Sequence, residues 1–98
     1  MTTFNPTAPF ITPFNGRTRA METAYSFDFQ AKVIIQRKTN LINHTVHFYA
    51  FQDPDNPTDG WEPWEAEPKL GKALGECKVS GNYRQTARDA TKGGREGE

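Results

Sequence analysis

Between Tyr25 and Arg37 the chain alternates, and this pattern limits its fold more than any other feature. Tyr25, Phe27, Phe29, Ala31, Val33 and Ile35 occupy the odd positions, while Ser26, Asp28, Gln30, Lys32 and Gln36 share the even ones with Ile34. A period of two puts aromatic and branched side chains on one face of a sheet and polar groups on the other. The pattern predicts a single strand over this stretch. The polar run Arg37-Lys38-Thr39-Asn40 suits a turn after it.

Leu41 to Gln52 fits two templates. Ile42, Val46 and Tyr49 are spaced for a helix with Asn40 as its cap, but the richness in Val, Ile, Thr, Tyr and Phe favours a strand. A hairpin around residues 37–41 follows. Residues 53–68 hold Pro54, Pro57, Pro63, Pro68 and Gly60, so they form a loop. That loop carries Asp53, Asp55, Asp59, Glu62, Glu65 and Glu67 without a base. Alternation returns from Ala73 to Tyr83, with Cys77 and Val79 on one face, and marks a third strand. A short helix fits after Asn82, around Ala87 and Ala90, before Gly93 and Gly94 end it.

The flanks are of another kind. Residues 1–22 form an arm in which Pro6, Pro9 and Pro13 remove donors and fix φ, against helix or central strand. The arm also holds Phe4, Phe10 and Phe14, rings that solvation does not require and that should dock on something. Residues 84–98 have no large apolar side chain to hold them down. The chain divides into the arm 1–22, a small β domain 23–83 and a polar tail 84–98. The expected class is mainly β, or a small α+β unit: a three-stranded antiparallel sheet with an N-terminal arm.

Such a sheet has a thin core. Leu, Ile, Val and Phe make up less than about a fifth of the 98 residues. Three strands leave one face and two edges open, which predicts completion by homodimerisation or by the arm lying across the sheet. The lone Cys77 forms no internal disulfide, which fits a reducing, cytoplasmic setting. The longest apolar runs fall far short of the roughly 20 residues of a membrane span.

Catalytic chemistry finds little support. His44 and His47 are three apart, so on a strand they point to opposite faces and share no metal ion. Asp53, Asp55 and Asp59 resemble the start of a calcium loop, but Thr58 and Trp64 stand where the EF-hand needs glycine and glutamate. Nucleophile and phosphate-loop motifs are missing, and Cys77 on an apolar strand face reads as an inert buried thiol. The expectation is a non-catalytic protein without cofactor or metal.

Binding remains. Trp61, Glu62, Trp64 and Glu65 form an acidic aromatic loop, and with Phe10 and Phe14 of the arm they make a candidate surface for a protein partner. The alternative is a single-stranded nucleic-acid binder. Lys32, Arg37, Lys38 and Lys78 would meet phosphates, and Tyr49 and Tyr83 would stack on bases. Zero net charge weighs against the alternative, although the segment from Lys69 onward is basic and the preceding loop acidic.

Overall fold

The computed structural model describes residues 2–7, 9–55, 61–62, 64 and 67–80. Five strands form one sheet: β1 (Thr3–Phe4), β2 (Met21–Asp28), β3 (Val33–Asn40), β4 (Val46–Gln52) and β5 (Ala73–Val79). The described residues contain no helix. The fold is therefore mainly β, but with five strands where three were expected. The candidate helix after Asn82 and the tail lie outside the described residues.

The alternating stretch is two strands. β2 and β3 form an antiparallel hairpin in which Phe27 faces Ile34 and Asp28 faces Val33, with residues 29–32 as the turn. Asp28 builds this turn without the usual Gly or Asn. Its Oδ1 accepts from the Ala31 N–H at 3.0 Å, its carbonyl accepts from the Lys32 N–H at 2.8 Å, and Lys32 takes φ 60°. Alternation runs on through the turn because partners in this hairpin have opposite parity. Odd residues of β2 therefore share a face with even residues of β3, and both faces carry apolar groups.

The next turn is displaced as well. Arg37–Asn40 belong to β3, and residues 41–45 reverse the chain. Asn40 acts as a cap, but of a turn: its Oδ1 accepts from the N–H groups of Ile42 and Asn43, at 2.9 and 3.0 Å. His44 at φ 64° completes the reversal. The strand reading of Leu41–Gln52 holds from Val46 onward.

β4 and β5 pair from Phe51↔Ala73 to Phe48↔Cys77, with a bulge that leaves Leu74 extra and Gly75 at φ 99°. Bulges bend a strand and increase its twist. On its other edge β5 pairs with β1, in parallel, through Thr3↔Lys78 and Phe4↔Val79.

The arm closes the sheet. Along β5, the Lys78 N–H donates to Thr2 O and the Ser80 N–H to Phe4 O. The same segment then crosses to the far edge. The Asn5 N–H donates to Asp28 Oδ2 at 2.9 Å, the Thr7 N–H to Phe27 O at 2.9 Å, and Ile11 exchanges two backbone bonds with Tyr25. Strand neighbours follow chain order around the ring, with the N-terminal segment between β5 and β2. Its contacts with β5 begin near Thr2 while its ladder with β2 extends past Ile11, the kind of stagger that tilts strands in a barrel. Both edges are thus paired within the chain, so edge pairing with a second copy is not needed to satisfy them.

Each face has its own cluster. On the inner face, Val33, Ile35, Phe48, Ala50, Cys77 and Val79 pack together with Phe4 and Phe10 of the arm. On the outer face, Tyr25, Phe27 and Ile34 lie under Trp61 and Leu70 of the long connection.

Two substitutions test this scheme. Asp28→Ala removes the acceptor shared by the turn and the arm, and should lower unfolding free energy in urea by about 1–3 kcal/mol. Gly75→Ala meets no atom within 4 Å, so only its left-handed backbone is strained. A loss of about 1 kcal/mol is expected, read in the same titration.

Candidate interaction face

The outer face of β3, β4 and β5 is built in rows by the register. Ile34 and Phe51 are partners in one row, Gln36, Tyr49 and Glu76 form the next, and Lys38 and His47 the third. Lys78, two residues beyond Glu76, lies on the same side of β5. Trp61 covers the β2 side of this face. Its ring meets Tyr25 edge-on at 6.0 Å and Phe27 at 6.2 Å. The Tyr25 hydroxyl accepts from Gln36 Nε2 at 3.1 Å, and burial pushes its pKa up. Away from this lid Tyr49 and Lys38 are half-buried, while His47, Glu76 and Lys78 are exposed.

The exposed end holds one ion pair, His47 Nδ1 to Glu76 Oε2 at 3.0 Å. An ionised carboxylate only accepts, so Nδ1 carries the proton. Beside this pair the β4–β5 ladder stops, and a cavity of about 490 Å³ opens between the strands. Val46, Phe48, Cys77 and Val79 supply its apolar lining, and His47, Glu76 and Lys78 its polar part. Burial first, and the Glu76 charge second, push the Cys77 thiol up to about 11.

The sequence candidates divide sharply. Of the nucleic-acid set, Lys38, Lys78 and Tyr49 come together on this face. Lys32 sits in the β2–β3 turn at the other end of the sheet. Arg37 is buried on the inner face with its guanidinium 4.8 Å from the Phe10 ring, so it is not placed to meet a phosphate. Tyr83 lies outside the described residues.

Of the partner set, Phe10 packs against Phe48 at 5.8 Å and Trp61 serves as the lid, which commits both rings to the fold. Trp64 is 71% exposed and Phe14 85%, and Glu62 is exposed; Glu65 lies outside the described residues. His47 and Glu76 were not singled out as binding residues. Their alternation with Phe48 and Cys77 was the signal that placed them on the outer face.

Among the described residues, no three His, Cys, Asp or Glu side chains are grouped to hold a metal ion, and no helix is long and apolar enough to cross a membrane.

Two measurements check the site. Trp61→Ala should cost about 2 kcal/mol of stability, and Trp64→Ala less than about 0.5, in parallel melts. A pKa near 11 leaves roughly a hundredfold less thiolate at pH 8 than an ordinary cysteine. Iodoacetamide should therefore label Cys77 at least that much more slowly than it labels glutathione.

Compared with known protein families, curated proteins and solved structures, the chain matches none of them.

Proposed function

We propose that this protein is a non-catalytic binding module that holds a single-stranded nucleic acid on the outer face of β3–β5. The observation that carries the reading is that Lys38 and Lys78 share the outer face with His47 and the half-buried ring of Tyr49. Single strands are held by cations that follow the phosphates and by rings on which bases stack. The lid over Tyr25 and Phe27 confines the site to the remaining half of the face. With so few cations, affinity should be modest and should depend only moderately on salt.

Exposed Trp64 and Phe14 favour a second reading, a protein partner gripped outside the sheet. The two readings separate by mutation. Fluorescence anisotropy of a labelled 12-mer should show saturable binding at 20 mM salt, with log K falling against log salt at a slope of about −1.4. Lys38→Ala with Lys78→Ala should weaken binding at least tenfold and flatten that slope by about 1.4. Trp64→Ala should leave it unchanged. A flat titration of the native protein at 20 mM salt would refute the nucleic-acid reading.

A further inference from the structure

The outer face differs from row to row. Thr23, Lys38 and His47 are partners across β2, β3 and β4, and Lys78 stands beside His47 because its neighbour Cys77 pairs with Phe48. The next row toward the middle of the sheet holds Tyr25, Gln36, Tyr49 and Glu76. Side chains of both rows point to the same side of the sheet. Lysines mark the first row and a carboxylate the second. Glu67 adds to the difference, since its charge acts on the Tyr25 hydroxyl and helps to raise its pKa.

The third row is closed. Ile34 lies under Trp61 and Leu70, which pack on it and on Phe27. A nucleic acid laid lengthwise along β3 would reach this lid within two rows. One laid across the sheet follows the first row, where His47 and Lys78 are exposed and Thr23 and Lys38 half-buried.

We infer that the bound single strand crosses the sheet from β2 to β5, with its phosphates on the Thr23–Lys38–His47–Lys78 row and its bases turned toward Tyr49. The inference rests on the nucleic-acid reading above and adds a direction, a length and Thr23 as a further phosphate-binding residue. Lys38 and Lys78 supply the charge, and the Thr23 hydroxyl donates one uncharged hydrogen bond. Phosphates placed one row further in would approach Glu76, where like charges repel. Bases are uncharged, so that row takes them, with the half-buried Tyr49 ring as their stacking partner. Three strand spacings of about 4.8 Å separate Thr23 from Lys78, so the row is roughly 14 Å long. At about 3.4 Å per stacked nucleotide it holds about four, the small end of single-strand sites.

The test is a length series. Labelled dT oligomers of two to twelve nucleotides are titrated by anisotropy at 20 mM salt, and each affinity is divided by the number of registers available. The corrected affinity should rise to about four nucleotides and stay level from there to twelve. Thr23→Val, which keeps the branched shape without the hydroxyl, should weaken binding of the dT tetramer about threefold and leave the salt slope of the 12-mer unchanged. In a ¹⁵N-labelled sample, the tetramer should shift the amide signals of Thr23, Lys38, His47 and Lys78 and leave those of Val33, Gln52 and Ala73 in place. A corrected affinity that keeps rising to eight nucleotides overturns the crossing path and leaves the binding function standing. So do shifts that follow β3 down to Val33, or a folded Thr23→Val protein that binds the tetramer as tightly as the native one. Failure to bind the 12-mer overturns both.

Discussion

Everything in this fold depends on one short segment pairing with two strands that are not neighbours in the sheet. Residues 2–5 bond to β5 and to Asp28, and residues 7–11 bond to β2. A meander of four long strands with such a small apolar complement would leave two unpaired edges and an uncovered inner face. The arm removes both problems at once, because Phe4 and Phe10 enter the inner cluster while the backbone of Thr2, Phe4, Thr7 and Ile11 completes the ladders. The proline spacing does not prevent this: the bonding groups come from Thr2, Phe4, Asn5, Thr7 and Ile11, which lie between or beside the prolines.

The same closure creates the candidate site. β5 lies between β4 and β1 and pairs with each on a different edge. Gly75 takes a left-handed backbone at the bulge, and the cleft lies where the β4–β5 ladder ends at Phe48↔Cys77. Trp61 covers Tyr25 and Phe27, while His47 and Glu76 stay exposed and Tyr49 half-buried on the rest of the outer face.

Much of this was legible from residue patterns. Alternation marked β5 and, as one unbroken strand, the stretch that is β2 and β3; residue propensity favoured the strand that becomes β4, and the arm's rings were expected to dock, though Phe10 was assigned to a partner surface and packs on the core instead. The break between β2 and β3 was hidden because Phe29, Gln30, Ala31 and Lys32 are poor turn residues by composition, and a side-chain acceptor on Asp28 does the work of a glycine. Arg37 looked like a turn residue because it is charged. It is buried because its guanidinium packs on the Phe10 ring and its stem lies beside Phe48, contacts that only a long-range partner can provide.

Local periodicity and backbone chemistry alone established a β-rich class, the buried setting of Cys77 and the outward direction of His47. Long-range contacts were needed to show that the arm contributes strand pairing as well as rings, that Trp61 covers and Trp64 does not, and that Lys38 and Lys78 share the face of His47. Those outcomes depend on which residues stand opposite one another. That register is set by the closure of the ring, to which residues far apart in the chain contribute jointly.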